Sequence, residues 1–229
     1  MRHDLGSVLF DLDGTLLDTA PDMHAALSTL MAEHDRAPLA FDSVRNHVSH
    51  GSSALVALGF PDADAGFAEH LKRRYLEIYA RDLCLATTLF PGLAELLDRI
   101  QARGWSVGVV TNKPGWLTEP LLEALGLHAR MAAIVSGDSS HRRKPAPEPM
   151  WLAAHQTGLP AERHCYWGDA QRDIAAGRAA GMVTLIAGWG YIDASQTPAA
   201  WGADAALEQP ADFWDWYETS HRLETGLAS

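Results

Sequence analysis

Short apolar runs alternate with amphipathic helical patterns along most of this chain, and this alternation limits the fold more than any other feature. Each run has a length typical of a buried strand, and the segments between the later runs have helical periodicity and end at glycine. Strands that alternate with helices indicate a parallel sheet covered on both faces, so the sequence predicts a doubly wound α/β fold. The predicted strands are Ser7–Phe10, Ser106–Val110, Ala132–Val135, His164–Trp167 and Val183–Ile186.

The alternation is interrupted between the first two predicted strands. About ninety residues separate them, whereas a strand–helix–strand unit needs roughly thirty. This interval contains helical patterns of its own, within 21–34 and 66–83. We therefore predict a small helical domain over residues 18–84, inserted into a Rossmann-like core made of residues 1–17 and 85–229. Aromatic residues after Pro210 predict a C-terminal segment that packs over the sheet.

Composition excludes some classes of partner. The 229 residues carry a formal net charge of −11, which argues against binding to nucleic acid or to an anionic membrane surface. No stretch approaches the ~20 apolar residues of a membrane span. Cys84 and Cys165 lack the spacing of a metal or redox motif. We expect a cytoplasmic protein with two reduced thiols. The sequence leaves the oligomeric state open.

Polar side chains follow several of the predicted strands at the point where each strand ends. In an open α/β sheet, ligands bind at the carboxyl ends of the strands, so these side chains are expected to converge. Taken singly, they have ordinary explanations as turn residues, strand ends, a helix N-cap or a solvated lysine. Together at one edge, they indicate a site. They are Asp11, Asp13, Thr111, Asn112, Lys144, Asp169 and Asp173.

The chemistry of these residues points to phosphoryl transfer. Three carboxylates, those of Asp11, Asp169 and Asp173, form the oxygen-rich set that Mg²⁺ prefers. A lysine and a threonine hydroxyl are typical ligands of a phosphoryl group. An aspartate can act as nucleophile by forming an acyl phosphate, and a second acid two residues later can transfer protons.

Four segments resemble the motifs of the haloacid dehalogenase superfamily. They are DLDGTLLDT, VVTNKP, the lysine of RRKPAPEP, and GDAQRD, and the match extends from residue 8 to about residue 190. The resemblance implies a helical cap for the insert, and Mg²⁺ as cofactor. It also implies that Asp11 is the nucleophile and Asp13 the general acid and base.

The same resemblance assigns the remaining groups. Thr111, Asn112 and Lys144 are expected to bind the phosphoryl group. The metal is expected on Asp11, Asp169, Asp173 and the carbonyl of Asp13. Ala170 stands where many relatives have serine, which weakens the analogy for the outer metal shell but removes no required group.

Several activities use this set of motifs. A dehalogenase does not need Asp13, because its halide leaving group takes no proton, and a transport ATPase needs membrane spans. A phosphohexose mutase uses the same residues and remains the main alternative to a hydrolase. A protein that only binds phosphorylated metabolites is the alternative from another class, but it is expected to lack one of the two acids, and both are present.

The substrate is expected to be a small phosphorylated metabolite. Within the superfamily the chain is similar to phosphoglycolate phosphatases. The stretches VSHGSSAL, TLFPGLAELL, VVTNKP and GDAQRDIAAGRAAGM most resemble a bacterial branch that includes N-acetylmuramic acid 6-phosphate phosphatase. The stretch RNHVSHGSS in the insert offers a cation, imidazoles and hydroxyls, so we predict that Arg45, His50 and Ser52 contact the leaving group. Both substrates carry a carboxylate, and the small residues after His50 favour the larger sugar over phosphoglycolate.

Overall fold

The structure is a computed structural model that describes residues 4–225, with side chains up to residue 220. It contains one large parallel sheet and one short antiparallel ribbon. The strands are β1 (Ser7–Phe10), β2 (Leu17–Asp18), β3 (Thr88–Leu89), β4 (Ser106–Val110), β5 (Ala133–Val135), β6 (His164–Gly168), β7 (Val183–Ala187) and β8 (Ala205–Leu207).

The parallel sheet has six strands in the order β5-β4-β1-β6-β7-β8. All four residues of β1 are buried, and β1 pairs with β4 on one side and β6 on the other. The predicted α/β fold and its five strands are confirmed, with ends that differ by at most one residue. The edge strand β8 was not predicted, because its three residues are too few to show a periodic pattern.

Helices cover both faces of this sheet and fill the interval after β1. None of the helices within residues 4–225 is long and apolar enough to cross a membrane. The helices are α1 (Ala20–Ala32), α2 (Phe41–Arg45), α3 (Ser52–Gly59), α4 (Ala65–Arg81), α5 (Leu93–Ala102), α6 (Gly115–Ala124), α7 (Glu148–Thr157), α8 (Gln171–Ala180) and α9 (Asp212–Thr225).

Helices α1 to α4 form a helical insert whose members pack against one another. The chain enters it through β2 and leaves it through β3, and these two strands pair antiparallel, with Leu17 opposite Leu89 and Asp18 opposite Thr88. Asp22, at the start of α1, accepts hydrogen bonds from the amides of Ala86 and Thr87 at 2.8 and 2.9 Å. The two linkers are therefore fastened together. The domain boundary at residues 18 and 84 stays a prediction.

Helix α9 carries the aromatic residues of the C-terminal segment onto the sheet. Phe213 is fully buried, with its ring centroid 5.4 Å from that of Trp167 in β6. The ring of Tyr217 lies edge-on to Trp105 at 5.1 Å. These contacts confirm the prediction that the aromatic segment packs over the sheet.

Candidate active site

The carboxyl ends of three neighbouring strands bring the predicted site residues together. β4, β1 and β6 lie side by side, and Thr111, Asp11 and Asp169 directly follow them. β4 and β6 lie on opposite sides of β1, so the strand order reverses at β1. Open α/β sheets bind ligands at such a reversal. Residues up to 158 positions apart in the sequence therefore meet because of the strand order.

Asp11, Asp169 and Asp173 form a compact acidic cluster in which one carboxylate oxygen of each lies within 4.8 Å of the other two. All three residues are buried. Burial and the charges of Asp11 and Asp173 raise the pKa of Asp169 to about 7. Burial also raises the pKa of Asp173. The cluster therefore concentrates more negative charge than its surroundings neutralise.

Lys144 supplies part of the missing positive charge. Its side chain is 0% exposed, and its Nζ lies 2.8 Å from an oxygen of Asp11 and 2.7 Å from an oxygen of Asp173. The same Nζ donates to the Val110 carbonyl at 2.9 Å and to the Tyr166 hydroxyl at 2.8 Å. Lys144 contacts two of the three carboxylates, and the ligand atoms that the three acids offer to a metal are all oxygens. This donor set fits a hard divalent cation such as Mg²⁺.

A tight turn after β1 places Asp13 beside this cluster. Gly14 has a φ of +87°, a conformation that glycine adopts most easily. A Cβ at Gly14 would meet the Asp169 carboxylate and lie 2.8 Å from the ring of Tyr191. Asp13 Oδ1 accepts hydrogen bonds from the Thr19 hydroxyl at 2.7 Å and from Lys113 Nζ at 2.9 Å. The second acid is therefore held in a defined position.

Lys113 is a site residue that the sequence analysis missed. Its side chain is 4% exposed and pairs with Asp13, while its Nζ contacts the Tyr79 hydroxyl at 3.0 Å and lies 4.6 Å from the centre of that ring. Tyr79 belongs to α4, so Lys113 connects Asp13 to the helical insert. The available signal was its place in VVTNKP, directly after Thr111 and Asn112.

The side chains of Thr111 and Asn112 make different hydrogen bonds in the structure. Both line a cavity between the edge of the sheet and the helical insert. The Thr111 hydroxyl oxygen accepts a hydrogen bond from the Lys113 amide at 3.1 Å. The Asn112 side chain exchanges two hydrogen bonds of 3.1 Å with the backbone of Lys144 and so positions that lysine. Direct phosphate binding by either residue stays a prediction.

This cavity has a volume of about 420 Å³. Asp11 and Asp13 lie in its wall, together with the cationic residues Lys72, Lys113, Arg143 and Arg172. The cavity is therefore locally basic although the whole chain is acidic, which favours an anionic ligand. The insert contributes an apolar wall of Met23, Val48, Tyr75, Leu76 and Tyr79.

The three predicted substrate contacts in the insert have different positions. His50 and Ser52 line the cavity. Burial, together with the charge of Arg172, lowers the pKa of His50, so its imidazole is neutral at neutral pH. The Arg45 guanidinium lies elsewhere, 4.9 Å from the centre of the Tyr191 ring, and donates to the Trp189 and Gly190 carbonyls at 3.2 and 3.3 Å. The structure does not place Arg45 on this cavity, because its side chain joins the insert to the core, and contact between Arg45 and substrate stays a prediction.

Ser49 makes a second connection between the insert and the core. Its hydroxyl donates to Asp169 Oδ2 at 2.7 Å, and its carbonyl accepts from Arg172 at 2.5 Å. Asp169 Oδ2 also accepts from the Tyr191 amide at 2.9 Å. Nothing in the sequence distinguished Ser49 from the other polar residues of RNHVSHGSS. The structure shows that the insert directly contacts a predicted metal ligand.

Comparisons with known proteins agree with this geometry. Residues 8–187 match the family described as haloacid dehalogenase-like hydrolase. The phosphoglycolate phosphatase of Xanthomonas campestris is 41% identical over 209 residues, which cover 91% of this chain and 95% of that protein. The N-acetylmuramic acid 6-phosphate phosphatase of Pseudomonas aeruginosa is 40% identical over 215 residues, covering 93% and 95%.

A solved structure shows the same fold. The crystal structure of a predicted phosphoglycolate phosphatase from Haemophilus somnus superimposes with a TM-score of 0.83 at 25% identity, covering 94% of this chain and 99% of that one. The family match spans most of the chain, and both curated relatives are similar over nearly their full length. The chain therefore belongs to the haloacid dehalogenase-like hydrolases, and within them it is phosphoglycolate phosphatase-like.

Proposed function

We propose that the protein is a phosphatase that hydrolyses a small phosphate monoester through an aspartyl-phosphate on Asp11. The observation that supports this most directly is the position of Asp11, which lies in the cavity wall, belongs to the acidic cluster and pairs with Lys144. The Asp11 carboxylate can therefore reach a substrate bound in the cavity, while Lys144 compensates its negative charge. The names of the relatives from Xanthomonas and Pseudomonas support the same class of reaction.

The reaction proceeds in two displacements. A carboxylate oxygen of Asp11 attacks phosphorus, the ester P–O bond breaks, and Asp13 gives its proton to the leaving oxygen. Asp13 then takes a proton from water, whose oxygen attacks phosphorus and breaks the bond to Asp11. Inorganic phosphate leaves and both acids return to their starting states. Lys144 balances the charge of Asp11 throughout, and Lys113 and Thr19 hold Asp13 in place.

Asp11, Asp169 and Asp173, with the Asp13 carbonyl, would hold Mg²⁺. When bound, the ion supplies positive charge that offsets the cluster and the phosphoryl oxygens. EDTA is expected to abolish hydrolysis and Mg²⁺ to restore it, whereas Ca²⁺ restores it poorly because its coordination is larger and looser. Full activity in metal-free buffer would contradict the proposed cofactor.

Stability gives a second test of the metal. The raised pKa of Asp169 means that the metal-free folded state holds a proton that the unfolded state releases, so its stability falls as pH rises from 3.8 towards about 7. Mg²⁺ competes with that proton. Saturating Mg²⁺ is therefore expected to raise Tm more at about pH 8 than at about pH 5.5. An equal increase at both pH values would contradict a metal on this cluster.

For the substrate, we propose N-acetylmuramic acid 6-phosphate in preference to 2-phosphoglycolate. The relatives from Pseudomonas and Xanthomonas are named for these two compounds. A cavity of about 420 Å³ falls within the ~300–1,000 Å³ of sites that hold drug-sized ligands, and glycolate has only two carbons to fill it. Wild-type kcat/KM for the two esters tests this order, and a higher value for 2-phosphoglycolate would reverse it. The cytoplasmic location stays a prediction.

A further inference from the structure

We propose that Lys72 binds a carboxylate on the leaving group and so makes the enzyme selective for carboxylated phosphate esters. This inference rests on the proposed phosphatase function and assigns to one residue the selectivity within it. Lys72 takes the role of leaving-group cation that the sequence analysis gave to Arg45, whose side chain lies between the insert and the core.

Lys72 is the first member of a row of cavity residues on α4. Tyr75, Leu76 and Tyr79 follow at spacings of three, four and seven, and all four line the cavity. Residues at these spacings lie on one face of a helix. The far end of the row, Tyr79, contacts Lys113 and through it Asp13, where proton transfer is proposed. Lys72 therefore lies at the opposite end, where the leaving group extends away from the phosphoryl group.

The length of this row suits a sugar better than glycolate. Seven residues of helix correspond to about 10 Å along the axis. The two-carbon glycolate keeps its carboxylate close to its phosphoryl group. In N-acetylmuramic acid 6-phosphate, the ring separates the lactyl carboxylate on carbon 3 from the phosphoryl group on carbon 6. A lysine two turns from the catalytic end is thus placed for the larger substrate.

The other cations of the cavity have closer partners. Lys113 pairs with Asp13 at 2.9 Å, and the charges of Asp173, Asp11 and Asp169 act on the half-buried Arg172, which donates to the Ser49 carbonyl. Arg143 comes from the core and donates through Nε to the Gly137 carbonyl at 2.6 Å. The ion pair of Lys72 with Glu69 is long, at 3.5 Å, and Glu69 is 59% exposed. Such a pair contributes little, so the Lys72 ammonium is available to a ligand.

The partial burial of Lys72 strengthens this role. Its side chain is 32% exposed and lies beside the apolar wall of the cavity. A charge pair formed there is screened less than one in open solvent. The side chains of Ser52 and Ser53 line the same cavity and offer hydroxyls to the sugar.

A matched pair of substrates isolates the carboxylate. N-acetylglucosamine 6-phosphate equals N-acetylmuramic acid 6-phosphate without the lactyl ether. We expect Lys72→Gln to lower kcat/KM for N-acetylmuramic acid 6-phosphate by about tenfold or more, with less than a twofold change for N-acetylglucosamine 6-phosphate. Lys72→Arg keeps the charge and is expected to retain most of the preference. Arg73→Gln removes a neighbouring exposed cation of α4 that does not line the cavity, and it is expected to change neither value.

Several results would overturn the inference. Equal losses on both sugars would show that Lys72 acts on folding or closure of the insert, and thermal melting of Lys72→Gln would identify a folding defect. Loss of preference in Arg143→Gln but not in Lys72→Gln would assign the carboxylate to Arg143. Equal hydrolysis of both sugars by the wild-type enzyme would refute the proposed selectivity but not the proposed phosphatase function. A wild type without Mg²⁺-dependent activity on any monoester, p-nitrophenyl phosphate included, would instead refute the proposed function itself.

Discussion

The two ends of the cavity differ in how tightly their side chains are held. At the sheet edge, Lys144 has four polar contacts between 2.7 and 2.9 Å, and Asp169 accepts from three donors. At the insert end, Lys72 has one ion pair of 3.5 Å. The side chains of Ser52 and Ser53 have no hydrogen bond to other described residues.

This difference separates chemistry from recognition. Charges that are fixed before substrate arrives need no reorganisation during phosphoryl transfer, and all candidate substrates share the phosphoryl group. Side chains with weak partners can instead adapt to a leaving group at little cost. We therefore expect the sheet edge to determine which reaction occurs and the insert end to determine which ester is accepted. Four substitutions at Asp11, Asp13, Lys113 and Arg45 test this division, with expected effects that decrease in that order.

Asp11→Asn is expected to have the largest effect. It keeps the shape of the side chain but removes the anionic nucleophile, so kcat is expected to fall by about 10³-fold or more for every substrate. Single-turnover assays with N-acetylmuramic acid 6-phosphate and p-nitrophenyl phosphate measure this, with circular dichroism to confirm folding. A folded variant with near-normal turnover would show that Asp11 is not the nucleophile.

Asp13→Asn is expected to affect substrates unequally. Its proton is needed most by poor leaving groups, so kcat for an alkyl phosphate is expected to fall by about 10²-fold or more. The loss on p-nitrophenyl phosphate is expected to be clearly smaller, because nitrophenolate leaves without protonation. The same loss on both would place the role of Asp13 in metal binding or in hydrolysis of the intermediate.

Lys113→Met is expected to lower kcat in the same leaving-group-dependent way as Asp13→Asn, but by a smaller factor. It removes the cation that holds Asp13 at 2.9 Å and leaves Thr19, among the described residues, as the side chain that donates to Asp13. We expect a loss of about tenfold in kcat on alkyl phosphates and less on p-nitrophenyl phosphate. Lys113→Arg serves as the charge-conserving control. A loss that does not depend on the leaving group would assign Lys113 to closure of the insert through Tyr79.

Arg45→Ala is expected to have the smallest effect, and the same one on every substrate. It removes hydrogen bonds from the insert to the Trp189 and Gly190 carbonyls outside the cavity. We expect kcat/KM to fall about three- to tenfold for N-acetylmuramic acid 6-phosphate and N-acetylglucosamine 6-phosphate alike. A selective loss on the carboxylated sugar would return Arg45 to the role that the sequence predicted for it.

The difference between the sheet edge and the insert also explains which residues could be predicted from the sequence. Asp11, Thr111 and Asp169 could be placed together because adjacent parallel strands bring the residues at their carboxyl ends to one edge. The direction of Arg45 depends on how α2 docks against the loop at Trp189, and helical periodicity carries no information on that docking. Lys113 and Lys144 both precede a proline in a loop, but the family resemblance assigned a role only to Lys144, so Lys113 was missed. Only the fold shows that Tyr79 and Asp13 enclose it.

The pairing of β2 with β3 limits how the insert can move. Two separate linkers would let the insert slide and rotate in several directions, but hydrogen bonds between these strands fix their register, and Asp22 clamps them near α1. Such a ribbon bends across its plane more easily than it slides or splits. We therefore expect the insert to move mainly by rotation about this ribbon. The hydrogen bonds of Ser49 with Asp169 and Arg172 join the insert to the core, so we expect opening of the insert to break them.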